Sequence, residues 1–369
     1  MKKIFVVALV LIAAFPMAAS ARPFRTVKLK PGFFAVQFSP DLKRLAAFKT
    51  NLEIQFWDLQ NGRMQHTFEI GEDSSAVDFS RDLKIMVRAG RNGVRLWDTQ
   101  NGKLLHELRS SGMGMFSSMV FSPDGKTLAA AGVEDPVCFW DVRSGKLKAE
   151  RDPLFTKALA FAPNGKSYVT VDYGGMKNGK RDMVVADVET GKILSKLRYS
   201  DTISDVSFSP DGKTVLTSGC AGSSDSCGEV HSAQFSDWNV KTGNLQRVIK
   251  LKLKSSMDNA YFSQDGKLVI HPHFAKSAFA GVDIWSMKTG LKRVLQWKGN
   301  RAREVAIVPN GSEIATASDN TIRFWNLQTG KLMRTLKGHK SDIISLTFSA
   351  DSKTLASCAK DGTIHFWRV

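Results

Sequence analysis

The residues best suited to chemistry gather in three stretches. Cys220 and Cys227 lie in "GCAGSSDSCGEVHS" from Gly219, which also carries His231, and His271 and His273 open "HPHFAKSAFAG". In an exported chain two cysteines this close pair most economically as a disulfide, contributing roughly 2–3 kcal/mol if unstrained. The rival chemistry joins Cys220, Cys227, His231, His271 and His273 as metal ligands. Those donor types suit zinc, but their spacing fits no compact finger, so no metal site is assigned. The remaining stretch, "DYGGMKNGKRD" from Asp172, holds Tyr173, Lys177, Lys180 and Arg181. Together with His271, His273 and Phe274, these are aromatic and cationic groups among small polar neighbours, the composition of a patch that captures a protein or peptide. No Gly-x-Ser-x-Gly elbow, phosphate-cradling glycine loop, His-Glu-x-x-His or Cys-x-x-Cys-His motif is present, and no catalytic residue or cofactor is assigned.

What positions these groups is read from the whole chain. Residues 1–21, "MKKIFVVALVLIAAFPMAASA", have a basic start, an apolar run and a small-residue exit, the form of a secretory signal peptide of bacterial type cleaved before Arg22. Residues 22–369 are then expected in the periplasm or medium, without a transmembrane anchor. Of 52 basic residues, two lie in that leader, leaving 50 against 35 acidic ones and a net charge of +15. Such an excess favours anionic partners but does not choose a fold.

A single phrase recurs along the rest: an alternating apolar run, a turn like Ser-Pro-Asp-Gly-Lys, a second run, a third ending in Trp-Asp, and a turn like Gln-Asn-Gly-Lys. The third-run tryptophan stands at Trp57, Trp97, Trp140, Trp238, Trp285, Trp325 and Trp367, and Ala186 occupies the one gap, giving eight repeats. Period-two alternation bounded by Gly, Asn, Asp and Pro makes each repeat an antiparallel four-stranded meander. One such unit cannot bury both faces, so the units must stack, and a period near 40–45 residues predicts radial stacking into a closed ring. The expected fold is all-β, a single eight-bladed propeller. Its tryptophans form the core between blades rather than a recognition surface. The ring missing at Ala186 calls for a neighbour, Met183 or Tyr173, to fill the space. The last repeat ends at "DGTIHFWRV" with no fourth strand, and residues 25–30, in "RTVKLKPG", resemble the fourth-strand phrase "RTLKGHK". Pairing of the two chain ends should therefore complete the eighth blade.

This phrase resembles the WD-repeat beta-propeller family across essentially all of residues 22–369. The final repeat matches most fully, and the resemblance implies that His339, Ser357, Asp361 and Trp367 hydrogen-bond loop, second strand, turn and third strand. With strands lettered a to d from axis to rim, the three chemistry-bearing stretches fall in the b-to-c turns of blades four, five and six, one continuous sector.

The opposite face carries basic residues after the a-to-b turns (Arg44, Lys84, Lys126, Lys166, Lys213, Lys267, Lys353) and c-to-d turns (Arg63, Lys103, Lys146, Lys192, Lys331). They serve either as solvated edge residues that discourage strand addition or as a contact for an anionic envelope polymer. No specific nucleic-acid partner is indicated. Around the axis, Lys157, Asp258, Arg301, Arg303 and Asp342, with Glu304, give a rim of mixed charge, suited to protein contact more than to a cation cage. Cys138 and Cys358, in different blades, read as buried free thiols, and His66 and His106 as ordinary rim residues. The function expected is that of an exported, monomeric, non-enzymatic interaction scaffold working through blades four to six. The alternative is a periplasmic propeller enzyme or carbohydrate binder using the axial pocket.

Overall fold

The computed structural model describes residues 22–49, 52–69, 74–90, 93–112, 116–132, 135–151, 156–172, 181–199, 202–220, 232–252, 261–263, 266–274, 279–290, 292–298, 304–308, 311 and 313–369. After β1 (Arg25–Lys28), blade one comprises β2 (Phe33–Phe38), β3 (Arg44–Lys49), β4 (Glu53–Asp58) and β5 (Arg63–Glu69). Blade two is β6 (Ser74–Phe79), β7 (Ile85–Gly90), β8 (Gly93–Asp98) and β9 (Leu104–Leu108); blade three is β10 (Phe116–Phe121), β11 (Thr127–Gly132), β12 (Val137–Asp141) and β13 (Leu147–Arg151). Blade four is β14 (Thr156–Phe161), β15 (Ser167–Asp172), β16 (Arg181–Asp187) and β17 (Ile193–Tyr199); blade five is β18 (Thr202–Phe208), β19 (Thr214–Cys220), β20 (Ser232–Asn239) and β21 (Leu245–Lys252). Blade six is β22 (Tyr261–Phe262), β23 (Leu268–Phe274), β24 (Phe279–Ser286) and β25 (Lys292–Lys298); blade seven is β26 (Glu304–Ile307), β27 (Glu313–Ser318), β28 (Thr321–Asn326) and β29 (Leu332–Lys337). Blade eight takes β30 (Ile343–Phe348), β31 (Thr354–Ala359) and β32 (Thr363–Arg368), with β1 as its fourth strand.

Every sheet is an antiparallel meander, as the alternating runs require, and the eight stand as the blades of one propeller. Closure is by β1 on β32, with Arg25 opposite Phe366, Thr26 opposite His365, Val27 opposite Ile364 and Lys28 opposite Thr363. Backbone bonds from Phe24 N to Phe366 O and from Leu29 N to Gly362 O, both 2.9 Å, lengthen that seam.

The a-to-b turns form by one local device. In blade three the Ser122 hydroxyl donates to Asp124 at 2.7 Å and accepts from Thr127 N at 2.9 Å, and Gly125 takes a φ of 70°. At the same turn position Leu42 and Leu83 hold φ near 55°, a strained setting for a side chain with a Cβ. Both leucines are buried, Leu83 completely, so packing against the neighbouring core offsets that strain.

The core lies between blades. Trp367 packs with Phe324 and Leu336 of blade seven, Trp325 with Trp297 and Ile284 of blade six, and Trp238 with Met183 and Val185 of blade four. The gap at Ala186 is closed by Tyr168, which lies opposite it in the ladder and sets its ring 4.9 Å from that of Phe139. Met183, the expected filler, instead joins the core on the other side of the sheet with Leu197 and Trp238. Side chains three residues apart on a strand point to opposite faces, so Met183 could not reach. Tyr173 lies outside the described residues.

Candidate functional site

The c strands show where the ring departs from uniformity. β16, β20 and β24 have 7, 8 and 8 residues, whereas the c strands of the other blades have 5 or 6. The b-to-c ladders of blades five and six are accordingly the longest, seven pairs each, whereas that of blade four has five and β16 gains its extra length through its pairing with β17. Part of what reads as loop in the sequence is ladder: His271, Pro272, His273 and Phe274 belong to β23 and pair with Asp283, Val282, Gly281 and Ala280. Arg181 pairs with Tyr199 at the start of β16, and Cys220 pairs with Ala233 at the end of β19. Tyr173, Lys177, Lys180, Cys227 and His231 lie outside the described residues, as does the disulfide or metal chemistry that depends on them.

His271 belongs to the blade interior. It is only 3% exposed, with its ring 6.4 Å from that of Trp285. Its register explains why: His271 faces Asp283 two residues before Trp285, as Ser357 faces His365 two residues before Trp367. Period-two alternation then turns the side chain inward, and His271 is withdrawn from the set of surface contacts.

That interior position carries a recurring bond. The indole N–H of Trp367 donates to the Ser357 hydroxyl at 2.8 Å, that of Trp325 to Thr316 at 2.9 Å and that of Trp238 to Thr217 at 3.2 Å. The sequence motif pointed only to the first, but threonine at the fourth position of the b strand was the available signal. In blade eight, His339 Nε2 also lies 2.7 Å from the Ser357 hydroxyl, joining loop, second strand and third strand. Asp361, expected in the same network, instead accepts from Lys28 Nζ at 3.0 Å and from Thr363 N at 3.0 Å. Its place beside His339 is taken by His365, whose ring centroid is 4.3 Å away. Burial, with the His365 charge adding to it, lowers His339 from 6.5 to about 3. Burial alone would raise Asp361, but the hydrogen bonds from Thr363 and Lys28 outweigh it and hold the carboxylate at about 2.

Of the axial-rim set, Lys157 lies in β14, and Asp258, Arg301 and Arg303 lie outside the described residues. Asp342 accepts from Lys360 Nζ at 3.0 Å. On the inner strands burial raises Glu304 to about 7 and Asp78 to about 6. They sit in blades seven and two and form no paired catalytic carboxylates. Cys138 and Cys358 are free and buried, as expected.

The rim histidines have a role that sequence reasoning missed. The fourth strand of one blade clasps the c-to-d turn of the next: Arg25 donates to the carbonyls of Leu59 and Gln60, and Arg293 to those of Leu327 and Gln328. Arg151 donates to Val188 and Glu189 at 3.0 and 2.7 Å, and His106 Nε2 to Arg143 at 2.9 Å. His66 lies directly over Gly102, where a Cβ would come within 2.1 Å of its ring.

Comparison with known proteins agrees with this architecture. The profile described as NWD2 C-terminal beta-propeller matches residues 72–304, more than half the chain, and that described as WD domain, G-beta repeat matches residues 292–326 and 330–368. The WD repeat-containing protein WDS homolog of Arabidopsis thaliana is 25% identical over 94% of this chain, and Apoptotic protease-activating factor 1 of Rattus norvegicus is 22% identical over 90%. The chain spans 58% and 29%, respectively, of the lengths of those relatives. Among solved structures, the computationally designed Ika8 protein superposes with a TM-score of 0.63 at 22% identity, covering 94% of this chain and all of Ika8. The C-terminal WD40 domain of Sif2 gives 0.61 at 16% identity, covering 95% and 98% of the two chains, and both likenesses concern the fold alone. The chain belongs to the WD-repeat propellers, in the family described as NWD2 C-terminal beta-propeller.

Proposed function

We propose that this protein is an exported, non-enzymatic scaffold that captures a protein or peptide partner with the hairpin tips of blades four to six. WD-repeat propellers typically serve as protein-interaction scaffolds. The observation that supports the reading is the run of three adjacent c strands lengthened to 7, 8 and 8 residues, against 5 or 6 in the other blades. Variation placed on a rigid ring is where recognition is built. The contacts are Tyr173, Lys177, Lys180, Arg181 and Phe274, with the aromatics as anchors and the cations selecting an acidic partner.

Deleting residues 221–226 tests it. The ring is expected to melt unchanged while the partner recovered by the intact protein from an envelope extract is lost; undiminished recovery would refute the sector. Export is tested separately, by fractionating cells that express the full chain. Cleavage before Arg22 and recovery outside the cytoplasm are expected, and an uncleaved cytoplasmic product would overturn it.

A further inference from the structure

The residue immediately before the repeat tryptophan is apolar in every other blade: Phe56, Leu96, Phe139, Val185, Ile284, Phe324 and Phe366, with Val185 preceding the Ala186 that replaces the ring. In blade five it is Asp237. This carboxylate lines a cleft of about 480 Å³ between blades five and six, on the face opposite the b-to-c hairpins. The matching cleft between blades eight and one is of similar size, about 500 Å³, but has Phe366 at that position, with the Arg25 guanidinium 5.1 Å from its ring. Each cleft is lined by two aspartates and two cationic residues, Asp41, Asp351, Arg25 and Lys43 at the seam and Asp211, Asp237, Lys267 and Lys288 between blades five and six; they differ in the group before the tryptophan, a phenyl ring in the first and a carboxylate in the second.

The fold engages Asp237 only in part, through backbone hydrogen bonds from Arg247 and from Asp237 itself and through the Arg247 charge. Its Oδ1 is buried and accepts no hydrogen bond. Arg247 stands opposite it in the ladder, and the Arg247 Nη1 likewise has no hydrogen-bond partner. Desolvation raises the Asp237 pKa, against the pull of the Arg247 charge. The neighbouring carboxylate Asp211 is held by the Ser209 hydroxyl at 2.7 Å and Lys213 N at 3.1 Å. The walls are Leu216 and Met287, 3% and 4% exposed, and exposed Lys267 and Lys288 stand at the opening.

We propose that this cleft binds a basic amino-acid side chain whose own α-carboxylate lies close by, as in a carboxy-terminal arginine or the free amino acid. The guanidinium meets Asp237 in a charge-assisted hydrogen bond, the methylenes lie along Leu216 and Met287, and the carboxylate turns to Lys288. The order of charges, acid inside and base at the opening, matches that ligand and opposes the reverse one.

Calorimetric titration of the full chain with L-arginine and glycyl-L-arginine tests the assignment. Both are expected to bind, the dipeptide more tightly if the source is a chain terminus and arginine more tightly if it is the free amino acid. Citrulline, the neutral isostere, and argininamide, which lacks the carboxylate, should each bind at least about tenfold more weakly. Asp237→Asn, close to isosteric, should cause the same loss with an unchanged melt. Asp237→Phe installs the residue that the seam cleft carries and should abolish binding. Absence of arginine binding at millimolar concentration, or binding equal in Asp237→Asn, overturns the proposal and leaves Asp237 as a partner of Arg247 only.

Discussion

Acid should loosen the ring at its seam through the buried imidazole of His339, with His365, also held below its ordinary pKa by burial, acting in the same sense. His339 is 5% exposed; its Nε2 is engaged with Ser357 while Nδ1 has no hydrogen-bond partner, so protonation would make a donor with no acceptor. Because the folded pKa is about 3 against 6.5 for the free side chain, the unfolded chain takes up the proton first. Stability from this group is therefore complete above 6.5 and falls as pH drops toward 3. At pH 5 the difference amounts to ~2 kcal/mol, or roughly 3 °C in Tm for a ring of this size. Glu304 and Asp78, whose folded pKa values are raised, act in the opposite sense, so the measurement must be differential. The assay compares thermal melts of the intact protein and His339→Gln, which keeps a polar contact to Ser357 without titrating. The stability advantage of the intact protein should shrink by ~2 kcal/mol between pH 7.5 and pH 5. Amides of β1 and β32 should gain exchange before those of other blades. A stability gap that is the same at both pH values would refute the reasoning.

Beginning the chain at Phe33 removes β1 and exposes the edge of β32; a sharply lower Tm is expected, and an unchanged melt would defeat closure by the chain ends. Tyr168→Ala reopens the space at Ala186 and should cost about 3–5 kcal/mol in chemical denaturation, whereas a loss below 1 kcal/mol would show that another group fills it. Arg151→Ala releases two turn carbonyls of blade four and should cost about 1–2 kcal/mol, with exchange increasing at residues 187–191; no change there would remove the clasp. Lys126, Lys166 and Lys213 are exposed on the basic face. If that face meets an anionic polymer, retention should fall steeply with salt and after charge reversal of all three, and salt-independent retention would exclude it.

The repeat phrase was sufficient for the all-β class, the blade count, the interblade place of the tryptophans and the closure of blade eight by the start of the ring. Each of these follows from local periodicity repeated until only one closed arrangement buries both faces of every sheet. The departure of blades four to six, whose c strands are the longest, was legible too, as interruptions of the period. The boundary between strand and loop within it was not, because "HPHF" has no alternation that distinguishes a longer ladder from a turn.

Tertiary structure decided the rest. Tyr168 rather than Met183 meets the gap at Ala186, because the two side chains leave opposite faces of the same sheet. His271 turns inward because ladder register, not composition, sets its face. Asp361 binds Lys28, 333 residues away in sequence, instead of joining His339. The arginine clasps and the Asp237 cleft likewise exist only where one blade meets the next. A repeat specifies what each blade does for itself, but contacts between blades depend on residues about one period or a whole chain apart, and on which face of a strand each side chain leaves.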